Sequence, residues 1–249
     1  MPSAAQGHLR RLRVAVALSV CLLALVGCRG DSSTAPLAEI ASGPQVAAEN
    51  GVDQNGPDEA LAAVLSAMEA HGSYRVTGTT VGGGAIDISF KVGAGATGTV
   101  DSGSPVTLVA LDNRVYVTGD AEFMAENVGA DAAERMAGKW LLLPQDATSG
   151  FSIFADGGSF ADAVLGAQGP VEMAGVRDVN GAPALGLVFP ESGGTLWVSA
   201  QGDPLPIQFE EKGASAGTGV LAFTDFGADV AIQAPAAGSV VDVESLPGQ

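Results

Sequence analysis

The alternation of apolar and polar positions divides the chain into one early helix, two runs of strands and a helical segment between them. Leu61, Val64, Leu65 and Met68 recur at helical spacing, which predicts an amphipathic helix over 57–71. Pro57 suits its first turn, Asp58 and Glu59 its positive end, and Gly72 its stop. Beyond it the period drops to two. Tyr74 and Val76 alternate with Arg75 and Thr77, and Ile86, Ile88, Phe90 and Val92 with Asp87, Ser89 and Lys91. Gly82-Gly83-Gly84 predicts the loop between these strands. Further strands are expected at 96–101, 106–111 and 114–118, the last two joined across Asp112-Asn113.

From Asp120, a candidate N-cap, a helix is expected over 120–137, with Phe123 and Met124 on its buried side. A short strand at 140–143 follows, then one or two short helices over 147–167, anchored by Phe154 and Leu165 and broken at Gly157-Gly158. Strands resume at 171–179 and 184–189 across Asn180-Gly181, the strongest hairpin signal in the chain, and at 195–199, 205–211 and 220–226. Leu205, Ile207 and Phe209 are expected on one face, and 229–233 as a last strand. Polar-out, apolar-in alternation means an antiparallel sheet with one covered face. The fold class is therefore α+β: a curved antiparallel sheet wrapped over a few helices.

The N-terminus carries an address. Arg10, Arg11 and Arg13 precede an apolar run from Val14 to Val26, too short for a comfortable membrane span. Leu25-Val26-Gly27-Cys28 has the form of a lipobox, which makes residues 1–27 a signal peptide and Cys28 the lipid-attachment residue and mature N-terminus. Residues 28–56 then read as the lipidated Cys and a disordered tether, with a reach of roughly 30 Å. Residues 57–233 form one domain, and 234–249 a flexible tail. The expected location is the extracytoplasmic face of the cell membrane, held by the lipid.

Removal of the signal takes three arginines and no acids, leaving eight basic against 28 acidic residues, a net charge of −20. Nucleic acid is thereby excluded as a partner, since it needs a cationic face. Cys21 goes with the signal and Cys28 is acylated, so the domain has neither disulfide nor thiol chemistry. His71 is the one histidine left and sits where a cation suits the helix end. No metal site, cofactor or catalytic set is read. Glu210 and Glu211 are adjacent on a strand and point to opposite faces.

The order of these features resembles the LppX/LprG-type lipoproteins of mycobacteria and other actinobacteria, which share a LolA-like half-barrel. The matching stretches are Ser73-Tyr74-Arg75-Val76, Val115-Tyr116-Val117, Gly138-Lys139-Trp140, Asn180-Gly181, Gly202-Asp203-Pro204-Leu205-Pro206 and Phe223-Thr224-Asp225-Phe226-Gly227. The resemblance implies a non-enzymatic carrier or chaperone that binds a lipid or lipidated glycan between sheet and helices. The ligand-lining candidates are Leu61, Val64, Leu65, Met68, Phe123, Met124, Phe154 and Leu165, although each taken singly reads more readily as plain core packing against the sheet. Gly129, Gly138, Gly150, Gly157 and Gly158 are expected to let the helical cover hinge. The alternative is a tethered interaction module whose partner is an envelope protein or transporter. A hollow interior separates the first reading from the second.

Overall fold

The structure, a computed structural model, describes residues 48–144, 152–154, 156–166, 168–212 and 218–245. The expected signal peptide, Cys28 and most of the expected tether lie outside the described residues, as does Gly150.

The expected first helix is present at its expected limits, α1 (Pro57–His71), with Ala60, Val64 and Met68 buried. It ends because Gly72 adopts a left-handed conformation and returns its amide to the carbonyls of Met68 and Glu69. The strands are β1 (Ser73–Thr79), β2 (Ala85–Lys91), β3 (Gly95–Asp101), β4 (Pro105–Leu111), β5 (Arg114–Gly119), β6 (Trp140–Leu142), β7 (Glu172–Val179), β8 (Ala182–Phe189), β9 (Gly194–Ser199), β10 (Pro206–Lys212), β11 (Thr218–Thr224) and β12 (Val240–Asp242). They make one 12-stranded sheet in the order β12-β6-β5-β4-β3-β2-β1-β11-β10-β9-β8-β7. Its two edges, β12 and β7, do not pair, so the sheet stays open. The chain builds β1 to β6 outward from the centre, restarts at the far edge with β7, and returns to close β11 against β1.

The two clearest hairpins have the backbone that their sequences call for. Asp112 and Asn113 have φ of 53° and 58°, and Asn180 has 56°, the positive values of tight primed turns. The inner face buries Val76, Ile88, Phe90, Leu108, Leu187 and Val198, all below 1% exposed, in a single core with α1 and the helical segment. The outer face carries polar pairs. The Arg75 guanidinium donates to both oxygens of Asp87 at 2.7 Å, an ion pair that holds the Asp87 carboxyl below its ordinary range.

Several expectations are corrected. The helix over 120–137 is two helices, α2 (Ala121–Val128) and α3 (Ala130–Met136), because Gly129 (φ 86°, ψ 151°) lies outside helical space. Asp120 does cap the first, accepting from the Phe123 amide at 2.8 Å. Gly157-Gly158 begins a helix, α4 (Gly157–Ala161), where a break is expected. Asp156 caps it through the amides of Gly158 and Ser159, and a π turn (Asp162–Gly166) continues it. Residues 229–233 form no strand: Asp225 turns the chain out of β11 with φ of 55°. In β10 a register irregularity between Pro206 and Gln208 separates Ile207 from Phe209. Phe209 joins the main core, and Ile207 packs instead on Val179, Ala184 and Trp197.

The domain also reaches beyond 57–233. Ala48 and Val52 are buried at 5% and 3% exposure, in and before a 3-10 turn (Val52–Gln54). The Asn50 side chain donates to the carbonyls of Ser199 and Gly202. At the other end β12 pairs with β6, the one parallel ladder in the described sheet, and Val243 is 2% exposed. Both segments are short and lack a periodic stripe, which is why their sequences read as tether and tail. A chain cut to 57–233 loses two buried valines, worth about 1.5–3 kcal/mol each. It is expected to melt well below the chain from Ala47 to Glu244, by differential scanning calorimetry; a melting point within two or three degrees, on the order of 1 kcal/mol, would show that these segments contribute nothing.

Among the described residues, no helix is long and apolar enough to cross a membrane.

Candidate functional site

The site is built where α1 and α4 pass over the first strands. Tyr74 on β1 and Phe90 on β2 are cross-strand partners and stack at 5.1 Å. Phe160 of α4 packs on Phe90 at 4.6 Å, and Phe154 on Phe160 at 6.2 Å. The Tyr74 hydroxyl donates to the Gly157 carbonyl at 2.5 Å, fastening α4 to the sheet. Burial pushes the Tyr74 phenol far above its ordinary range, and the nearby charges of Asp156 and Asp162 add to this. The phenol is therefore a fixed neutral donor.

Gly157 is the residue that permits this approach. A Cβ there would lie 2.9 Å from Tyr74 Cε1 and 3.1 Å from Phe90 Cβ. Its missing side chain is needed for this close packing. At Asp156, burial raises the carboxyl, but the hydrogen bonds from Ser159 and Gly158 outweigh it and leave the carboxyl below its ordinary range.

Between α1 and α4 remains a cleft of about 430 Å³, lined by Ala62, Leu65, Ser66, Met68, Glu69, Tyr74, Val92, Gly157, Gly158, Ala161 and Asp162. Its depth is apolar, and its polar side chains are Ser66, Glu69 and Asp162, besides the bonded phenol. Two of the eight sequence-predicted lining residues, Leu65 and Met68, stand on its wall. Val64, Phe123, Met124, Phe154 and Leu165 are closed into the core at 5% exposure or less, and Leu61 packs against that core half-buried. The residues that sequence reasoning missed include Ala62, Ser66 and Glu69. They continue a second stripe with Leu65, at i, i+3, i+4 and i+7, that flanks the apolar one. That stripe was readable; the contribution of Val92 and Ala161 was not, because they meet α1 only in space.

A second hollow, of about 460 Å³, lies on the outer face. It runs between the polar side chains Arg75, Asp87, Ser89, Thr97 and Thr99 and the returning segment at Asp225 and 228–231. That segment is fastened to the start of β1: Ser73 Oγ donates to the Ala228 carbonyl at 2.6 Å, and the Gly227 amide to the Ser73 carbonyl at 3.0 Å. His71, the last residue of α1, hydrogen-bonds to Asp203 through Nε2 at 3.0 Å.

The acidic pair on β10 does not converge. Glu210 accepts from Trp197 Nε1 at 3.1 Å and Gln208 Nε2 at 2.7 Å, with Arg177 lying over the Trp197 ring at 3.6 Å. Burial raises the Glu211 carboxyl, and the described residues give it no hydrogen-bonded link to Glu210. Among the described residues no group of three His, Cys, Asp or Glu side chains is arranged to hold a metal ion.

No protein-family model matches this chain, and no curated protein matches it. Among solved structures, the crystal structure of the Mycobacterium tuberculosis lipoprotein LppX aligns with 71% of this chain and 100% of its own, at 13% identity and a TM-score of 0.44.

Proposed function

We propose that the protein is a lipid-anchored envelope lipoprotein, without enzymatic activity, that takes the acyl part of a lipid or lipidated glycan into the cleft between α1 and α4 and acts as its carrier or chaperone. The observation that supports this is the cleft itself. Its volume falls in the range of small-molecule sites, its depth is lined by Leu65, Met68, Val92 and Ala161, and each methylene buried there contributes about 0.8 kcal/mol. One wall is rigid sheet. The other, α4, is a five-residue helix, the kind of element that opens at lower cost than a sheet.

Ala62 stands exposed at the cleft wall on α1, so Ala62→Trp fills the cleft without entering the core. Lipid uptake, read by native mass spectrometry of the processed full chain, is expected to fall at least tenfold, with little change in melting temperature. Unchanged uptake by a folded Ala62→Trp variant would remove the cleft as the site. Absence of lipid from the parent protein would remove the carrier reading. Val64→Trp is a poor alternative, because Val64 is fully buried.

The outer hollow supports a second reading, an interaction module for an envelope protein or transporter. Ser89, Thr97 and Thr99 present hydroxyls there beside the Arg75–Asp87 pair. A protein partner retained by the parent and lost in Arg75→Ala, with no lipid bound to either, would favour it.

A further inference from the structure

The cleft mouth is acidic and uncompensated. Glu69 on α1 and Asp162 after α4 are both exposed and both line it, and among the described residues no Lys, Arg or His side chain does. Among the described residues neither carboxylate has a hydrogen-bond or ion-pair partner. Asp156 adds a third negative charge beside the same wall; its oxygens are occupied by the cap of α4, which satisfies its hydrogen bonds and leaves its charge in place. Asp156 and Asp162 both lie near enough to Tyr74, which lines the cleft, to add to the burial that raises its phenol. Among the described residues Ser66 is the one exposed uncharged polar side chain that lines the cleft.

From this arrangement we infer, resting on the acyl-binding reading above, that Glu69 and Asp162 make the cleft select lipids with an uncharged or cationic headgroup against anionic lipids with the same acyl chain. The acyl chain draws all three kinds of lipid equally, since it meets the same apolar wall. The headgroup decides among them. A carboxylate or phosphate at the mouth loses water, meets two like charges and finds no cation among the described lining residues to pair with. A polyol headgroup meets hydrogen-bond acceptors on both sides and the Ser66 hydroxyl. An ammonium headgroup meets two free carboxylates. The discrimination is moderate, because both carboxylates are exposed and salt screens them.

The test is a competition among matched lipids: 1-oleoylglycerol, oleoylcholine and oleate, offered together to the processed full chain in mild detergent at mildly alkaline pH. Bound lipid is identified by native mass spectrometry. In low salt, the neutral and cationic lipids are expected to exceed oleate by about tenfold. Raising the volatile salt should shrink that ratio, as the screening length falls from tens of ångströms to a few. The double variant Glu69→Gln/Asp162→Asn should bind all three alike, and Glu69→Lys/Asp162→Lys should favour oleate, both with the parent's melting curve. Equal binding of the three lipids by the parent, or a preference that neither salt nor the double variants change, overturns the inference and leaves the acyl-binding reading standing. Binding of none of the three overturns the acyl-binding reading itself, and this inference with it.

Discussion

Truncating Phe90 to alanine should cost about 3–5 kcal/mol, the range for removing a buried phenylalanine. Phe90 is fully buried and joins two layers: it stacks on Tyr74 within the sheet and packs against Phe160 of α4. Its neighbour across the ladder on the other side, Ala96, is too small to fill the space. The backbone of β2 is fixed by β1 and β3, so the void should not collapse. For a domain of nearly two hundred residues this corresponds to a melting point lower by about 6–20 °C. Ser89→Ala, one residue away on the outer face, should shift it by less than about 0.5 kcal/mol. Calorimetry of both variants checks this. A Phe90→Ala loss near that of Ser89→Ala would mean that α4 does not rest on the sheet through this ring, and the wall of the cleft would lose its support.

The second large effect concerns Cys28. If Cys28 is the lipid-attachment residue, Cys28→Ser should abolish acylation and signal cleavage together, because the lipid would be joined through the sulfur and a serine oxygen does not replace it. The precursor should accumulate at its full mass, and metabolic labelling with an alkyne fatty acid should drop to background. The physical basis for anchoring by lipid is that the apolar run from Val14 to Val26 is shorter than the roughly 17–25 residues of a spanning helix, whereas acyl chains contribute about 0.8 kcal/mol per buried methylene. The same processing and labelling in the serine variant as in the parent would refute the assignment. An ordinary secretory signal would then be the better description of residues 1–27.

The open half-barrel and the apolar cleft bear on each other. The sheet alone would leave its inner face exposed, and α1, α2, α3 and α4 cover it. Most of that cover is packed solid, so five of the eight expected lining residues are core. Where α4 meets α1 the described residues leave a cleft, with Gly157 and Gly158 on its wall.

Local patterns settled a good part of this. The limits of α1 followed from Pro57, a stripe at helical spacing and Gly72. The hairpins at Asp112-Asn113 and Asn180-Gly181 followed from residues that tolerate positive φ. The α+β class and the covered inner face followed from alternation with period two. Each of these depends on interactions within a few residues, which a sequence displays directly. Tertiary structure decided what depends on contacts between distant segments. The closure of β11 on β1 joins residues about 150 apart, and no local signal marks it. The pairing of β12 with β6 rests on three residues whose partner lies a hundred positions earlier, so the sequence there reads as tail. Asn50 and Val52 look like tether until Ser199, Gly202 and the core take them up. Gly157 reads as a helix breaker because propensity counts only its flexibility, whereas in the fold Tyr74 and Phe90 need the space its missing side chain leaves.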